Sequence, residues 1–99
     1  MIELTADTFN QEIKKYDLCL VDFYSSVCPP CKVLKKVLDH PDLSNIKIFG
    51  VNIDNYPELA VPYHVNCAPT LLKFKNGNVS DQYVEKPTLY AIKKFLKVL

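Results

Sequence analysis

The 99-residue sequence predicts an α/β fold: a mixed central β-sheet sandwiched by helices, in the order βαβαβαββα. Three observations lead there. Two apolar runs, Leu-Cys-Leu-Val-Asp-Phe-Tyr at 18–24 and Ile-Lys-Ile-Phe-Gly-Val-Asn-Ile at 46–53, read as central strands. The first is apolar on both alternating faces, as a strand covered on both sides must be. Helical periodicity fills the gaps between strand-like runs up to the third helix, which implies crossover connections and parallel pairing. Near the C-terminus, Asn76-Gly77 between two more strand-like runs marks a hairpin, which adds antiparallel strands.

Each element follows in order. Residues 2–4 are short and apolar and suit an edge strand. Thr8-x-x-Gln11 has the form of a capping box, and Phe9, Ile13 and Tyr16 recur at helical spacing, so a helix is expected over 8–17. After the strand at 18–24 come Cys28, two prolines and a second helix. Its stripe is Val33, Leu34, Val37 and Leu38, with Lys32, Lys35, Lys36 and Asp39 facing away, and it ends near His40-Pro41. Residues 57–63 start a third helix that Pro62 keeps short or kinked. Residues 70–75 and 79–84 are the hairpin strands. Thr88 caps a last helix whose Leu89, Ile92, Phe95, Leu96 and Leu99 share a face.

Composition narrows the function. With 48% hydrophobic residues, 23% charged residues and a net charge of +1, the chain is globular rather than disordered. It shows no linker, internal repeat or low-complexity stretch, so residues 1–99 are expected to form a single domain. Glu3, Asp7, Glu12 and Asp17 punctuate the first seventeen residues, which hold no apolar run of signal-peptide length. No stretch approaches the roughly 20 apolar residues of a membrane span. The expectation is a cytoplasmic protein that engages no membrane. All twelve basic residues are lysines, so bidentate arginine contacts to phosphate or guanine are absent and no nucleic-acid partner is expected. Residues 1–65 carry a net −3 and residues 66–99 a net +4, most simply a solvated basic helix and hairpin face.

The four cysteines admit a disulfide scaffold, a metal site or redox chemistry. Cys28-Pro29-Pro30-Cys31 lies between a buried strand and a helix start. There a sulfur meets unpaired backbone N–H groups and the positive end of the helix dipole, both of which favour thiolate. Thiolate is the attacking species in disulfide exchange. Two intervening residues let one helical turn bring the second sulfur to the first, with Cys28 exposed at the N-cap and Cys31 partly covered. The prolines suit a first helical turn but remove two donors, leaving the N–H groups of Cys31 and Lys32. Asp22 is a charge inside an apolar strand, which raises its proton affinity.

These residues resemble the thioredoxin family. Residues 21–32, Val-Asp-Phe-Tyr-Ser-Ser-Val-Cys-Pro-Pro-Cys-Lys, look like that family's active-site segment, where a strand with a buried aspartate runs into W-C-G-P-C-K. Val51-Asn52-Ile53-Asp54 resembles its V-N-I-D strand end, and Ala68-Pro69-Thr70 with the following 71–77 resembles P-T-L-L-x-F-K-N-G. The three blocks occur in order at matching spacings, and the resemblance covers essentially the whole chain. It implies a single thioredoxin-like domain in which Cys28 attacks and Cys31 resolves. Pro69 would be a cis-proline facing the dithiol, beside a backbone edge where an extended substrate strand pairs. Asp22 would be the buried carboxylate that takes the Cys31 proton. Val27, Pro29, Pro30, Ala68, Pro69 and Glu85 would border the client groove.

The chain also departs from the family. Val27 stands where an aromatic is usual, and Tyr24 where tryptophan often stands. Gly50 replaces a lysine that often accompanies the aspartate, so Asp22 lacks that cationic partner. Glu85 replaces a substrate-loop glycine. Cys67, two residues before Pro69, reads as an ordinary loop residue or as a glutathionylation, intermolecular-disulfide or modulating thiol. Cys19 reads as core, and His40 as a helix-end cation or surface residue. A rival arrangement, Cys28-x-x-Cys31 with His64-x-x-Cys67, would make a Cys3His zinc site, although its 32-residue gap is long.

The expected function is reduction of protein disulfides through a reversible Cys28/Cys31 couple. No tightly bound cofactor and no metal are expected, since no nucleotide fingerprint is present. The partners implied are client proteins with exposed disulfides and a separate reductase that resupplies electrons, with the protein itself a monomer. A dithiol oxidant or isomerase, and a non-catalytic interaction module of the same fold, remain as alternatives.

Overall fold

The computed structural model describes residues 1–97. Leu18–Tyr24 forms strand β2, hydrogen-bonded on both edges: parallel to β3 (Lys47–Asn52) and antiparallel to β4 (Thr70–Lys75). β1 (Ile2–Glu3) pairs parallel outside β3, and β5 (Asn78–Tyr83) pairs antiparallel outside β4, so the sheet runs β1-β3-β2-β4-β5. The helices are α1 (Phe9–Ile13), α2 (Pro29–Leu38), α3 (Pro57–Ala60) and α4 (Leu89–Lys97). Short 3₁₀ turns occupy Pro41–Leu43 and Val61–Tyr63. This is the mixed, helix-sandwiched sheet expected from the sequence.

Alternation along β2 splits the core into two layers. Cys19, Val21 and Phe23 face one side, against Leu4, Phe9, Ile13, Phe49, Phe74 and the α3 residue Ala60. Leu20 faces the other, against Leu34 and Leu38 of α2, Leu71, and Ile92 and Phe95 of α4. By the same period, Asp22 belongs to the α2 and α4 side. On the first side an aromatic cluster joins distant segments: the Phe9 ring lies 6.4 Å from Phe23, 5.8 Å from Tyr63 and 6.0 Å from Phe74.

The hairpin turn has positive φ at both central residues, Asn76 at 53° and Gly77 at 83°, the backbone that Asn-Gly favours. The Asn76 N–H donates to Asp17 O at 2.9 Å, tying the turn to the entry of β2. Thr88 caps α4 as expected, accepting from Ala91 N at 3.1 Å. Pro62 converts the helix at 57–63 into a four-residue α-turn followed by a 3₁₀ turn. Leu99 of the expected α4 face lies outside the described residues.

Three expectations are corrected. The first helix spans only Phe9–Ile13, and its capping box does not form. Thr8 has helical rather than extended backbone, and its hydroxyl accepts from Thr5 N at 2.9 Å instead of closing on its own helix. Val33 is 51% exposed, because Cys31, Leu34 and Leu38, at i, i+3 and i+7, define the buried face of α2. His40 is an exposed surface residue, one of the two readings expected of it, and its Nδ1 accepts a hydrogen bond from Asp42 N at 3.1 Å, capping the turn at Pro41–Leu43.

The aromatic cluster yields a test. Phe9→Ala removes the ring shared by three neighbours, and we expect a loss of about 3–5 kcal/mol in urea unfolding with an unchanged m-value. A loss below about 1 kcal/mol would mean that the cluster does not hold α1 to the sheet.

Candidate active site

The site forms where β2 gives way to α2. The connecting loop is pinned to the end of β3. Ser26 N donates to Asp54 Oδ2 at 2.8 Å and Ser25 Oγ to the same oxygen at 3.3 Å. Asn52 Nδ2 donates to Ser26 Oγ at 3.2 Å, and Ile53 N to Tyr24 O at 2.9 Å. The Ser26 N–H holds the Asp54 carboxyl below the usual aspartate range. Sequence reasoning used Asn52 and Asp54 only as points of resemblance and missed this anchoring. The available signal was a polar pair, Ser25-Ser26, without an assigned task.

Beyond the anchor, Cys28 is the N-cap of α2 in extended conformation (φ −154°, ψ 95°), and Pro29 and Pro30 open the helix. Cys28 and Cys31 form a disulfide, with Cα atoms 5.2 Å apart. The Cys31 N–H is shared between Cys28 Sγ at 3.2 Å and Cys28 O at 3.1 Å, and Lys32 N–H goes to Cys28 O at 3.4 Å. One of the two remaining donors therefore reaches the sulfur. Cys28 is only 8% exposed, against the expectation of an exposed sulfur, and Cys31 is 6% exposed. Cys31 sits on the buried face of α2, and its bond draws Cys28 inward. Val27, at 91% exposure, and the exposed Pro29 and Pro30 form the outer rim.

Asp22 is 1% exposed, and among the described residues nothing hydrogen-bonds its Oδ1. Burial pushes its pKa up to about 7; the charge of Glu3 adds to the rise and Lys35 opposes it. The opposing cation thus comes from α2, not from position 50. Asp22 lines a cavity of about 170 Å³ together with Cys28, Cys31, Glu3 and Tyr24, with Lys32 and Lys35 on the α2 wall. The structure therefore brings Cys28, Cys31 and Asp22 together.

The other expected site residues are placed less tightly. The Ala68-Pro69 peptide is cis, as the resemblance implies, and both residues are half-buried. Thr70, next in the chain, pairs with Phe23, which places this segment at the end of the sheet from which the Cys28 loop departs. Glu85 is exposed beyond β5, and borders a separate cavity with Tyr83, Tyr90 and Lys94. Cys67 is an exposed free thiol, with its carbonyl accepting from Thr70 Oγ1 at 2.7 Å. Cys19 is wholly buried, and burial pushes its thiol up to about 11, consistent with a core residue. Among the described residues no group of three or more His, Cys, Asp or Glu side chains is gathered to hold a metal ion, so the Cys3His arrangement is not assembled. No described helix is long and apolar enough to cross a membrane.

Known proteins are similar to this chain in sequence and in fold. The family model described as thioredoxin matches residues 1–98. The chain is 38% identical over 85 residues to a thioredoxin of Rickettsia bellii, covering 82% of this chain and 81% of the relative. It is 40% identical over 83 residues to a thioredoxin of Chlamydia caviae, covering 82% and 80%. Among solved structures, a mutant thioredoxin from Halobacterium salinarum superposes with a TM-score of 0.88 at 23% identity, covering 97% of this chain and 87% of that one, a likeness of fold.

The buried carboxyl makes stability pH-dependent. A carboxyl whose proton affinity rises on folding is protonated in the folded state and ionised in the unfolded one between the two pKa values, so stability falls as pH rises through that window. With Asp22 moving from 3.8 to about 7, the oxidised protein should lose about 2–4 kcal/mol between pH 4 and 8. Asp22→Asn should flatten that slope in urea titrations. An undiminished slope in the variant would assign it to other groups.

Proposed function

The chain belongs to the thioredoxin family, and from that premise we propose which of its residues carry the reaction. It is a thiol–disulfide oxidoreductase that reduces protein disulfides. We assign Cys28 as the attacking thiol. The observation that carries this is the Cys31 amide aimed at Cys28 Sγ from the first turn of α2, where the same hydrogen bond and the helix dipole stabilise a thiolate once the disulfide opens.

The Cys28 thiolate attacks one sulfur of a client disulfide, forming a mixed disulfide and releasing the other client sulfur as thiolate. The Cys31 thiol gives its proton to the Asp22 carboxylate. The Cys31 thiolate then attacks Cys28 Sγ, the bond from Cys28 to the client breaks, and the second client sulfur leaves as thiolate. The client has gained two electrons and the protein holds the Cys28–Cys31 disulfide. An Asp22 pKa near 7 suits this exchange, because the group is able both to accept and to return a proton near neutral pH.

Val27, Pro29 and Pro30 form the exposed rim that a client meets first, and Ala68 and Pro69 supply a neighbouring backbone edge. Glu85 sets the charge at a more distant margin. Residues 1–99 work as a single domain and a monomer in the cytoplasm, without a tightly bound cofactor. A separate reductase of the thioredoxin-reductase type re-reduces the disulfide. The reducing context is supported by the buried Cys19, which is held as a free thiol.

Two measurements test these assignments. In an insulin-reduction assay with dithiothreitol, Cys28→Ser should abolish turnover, and Cys31→Ser should accumulate clients as mixed disulfides on Cys28; retained turnover in Cys28→Ser defeats the mechanism. In single turnovers with a peptide disulfide, Asp22→Asn should slow client release about 10²-fold near pH 7 while leaving the first attack nearly unchanged. Equal slowing of both steps would remove Asp22 from the resolving step.

A further inference from the structure

The bare position 50 is filled from elsewhere. Gly50 pairs with Glu3 on one side and with Asp22 on the other, so the three residues form one row across β1, β3 and β2. Residues opposite one another in such a row project to the same face, about 4.8 Å apart per strand. A Cβ at Gly50 would come within 2.8 Å of Glu3 Oε2 and 2.8 Å of Met1 Sδ. The Glu3 carboxylate therefore lies over position 50, in space that a side chain there would claim, on the way from β1 to Asp22. Tyr24, two residues beyond Asp22 and on the same face, donates its hydroxyl to Glu3 Oε1. The cavity beneath the disulfide is lined by Glu3, Tyr24, Asp22, Cys28 and Cys31.

We propose that Glu3 is a positioning residue for Asp22: held by Tyr24 over the bare Gly50, its negative charge keeps the Asp22 proton bound to higher pH and so sets the pH above which client release is fast. The consequence for rate rests on the assignment of Asp22 as acceptor of the Cys31 proton. The effect of Glu3 on Asp22 does not.

Other groups facing Asp22 fit this division of labour. β1 brings Glu3 and the Met1 end of the chain, β2 brings Tyr24, and α2 brings Lys32 and Lys35. β4 faces it in the row with Leu71, and α4 turns Ile92 and Phe95 to that side. Lys35 favours the ionised carboxyl, while burial and Glu3 favour the protonated one, and the balance goes to the proton. Gly50 is essential to the arrangement, because any side chain there must displace Glu3. A carboxylate thus approaches Asp22 where a lysine would have supplied the opposite charge.

The test follows the Asp22 carboxyl by carbon-13 NMR titration in the oxidised protein, which needs no turnover. Glu3→Gln should lower the Asp22 proton affinity by at least about twofold. Tyr24→Phe, which frees the Glu3 side chain, and Gly50→Ala, which displaces it, should move the midpoint in the same direction. Glu12→Gln removes a half-buried acid of α1 that pairs with Lys15 just beyond the helix, and should leave the midpoint in place. A smaller change in Glu3→Gln, or an equal change in Glu12→Gln, overturns the proposal. Single-turnover release against pH is the second arm: its acid limb should shift in Glu3→Gln by the factor seen in the titration. A shifted titration with an unshifted acid limb would defeat the consequence for rate. Should Asp22→Asn release clients at the parent rate, the assignment of Asp22 fails while the titration result still decides the role of Glu3.

Discussion

Residues 18–24 are enclosed on both faces by helices and on both edges by neighbouring strands, and the remaining elements take their positions from that enclosure. Burying a strand on two faces requires apolar residues at both phases of the pleat, which Leu20 on one side and Cys19, Val21 and Phe23 on the other provide. It also divides the helices, with α1 and α3 on one layer and α2 and α4 on the second. A polar residue placed between Cys19 and Phe23 is carried into the interior by register alone. Asp22 is that residue, and the register with Gly50 and Leu71 determines its neighbours before any side chain is considered.

The same strand delivers the cysteines. Where β2 ends, the backbone must turn onto α2, and the loop is held by Asp54 and Asn52 from the end of β3. The parallel pairing of β2 and β3 brings those two ends together, so the anchor is a product of topology. With the loop held, Cys28 falls at the N-cap and Cys31 one turn in, over the end of the strand that carries Asp22. The disulfide is consequently covered beneath by the protein and bordered outside by Val27 and the two prolines. A bond so placed offers a client a narrow approach and leaves the chemistry below it in a poorly hydrated space, where a carboxyl holds its proton toward neutral pH.

Features governed by neighbours in the chain were legible in the sequence. Continuous apolar runs, the Asn76-Gly77 turn, the Thr88 cap and the CxxC at a helix start each depend on a few adjacent residues, and each stands where it was expected. The high proton affinity of Asp22 was legible for the same reason, as a charge inside an apolar strand. Features set by a choice between competing local partners, or by contacts across the fold, were not. Thr8 lost its capping role to Thr5, and Val33 lost its place on the α2 face because the helix rotates to bury Cys31. Cys28 is covered because its sulfur is bonded to a residue on that buried face. Gly50 marked a missing lysine in the sequence, but only the pairing of β1 with β3 reveals that Glu3 reaches the vacated space.

Two buried charges in adjacent strands show how differently this fold treats ionisable groups. Lys73, 1% exposed on β4, donates from Nζ to Phe95 O at 2.9 Å near the negative end of α4, and its ammonium lies 4.9 Å from the Phe95 ring centroid. That partner set holds the ammonium and ties the last helix to the sheet, which is what a structural buried charge requires. Asp22 is equally buried, yet its Oδ1 has no hydrogen-bond partner among the described residues, and a carboxylate nearby raises the cost of ionising it. A residue retained for packing alone is cheaply replaced by an apolar side chain of similar size. An acid left without full satisfaction beneath the disulfide, on the wall of the cavity that Cys28 and Cys31 share, has capacity to exchange a proton with them. The contrast with Lys73 supports proton transfer, rather than cohesion of the sheet, as the reason for a carboxyl at position 22.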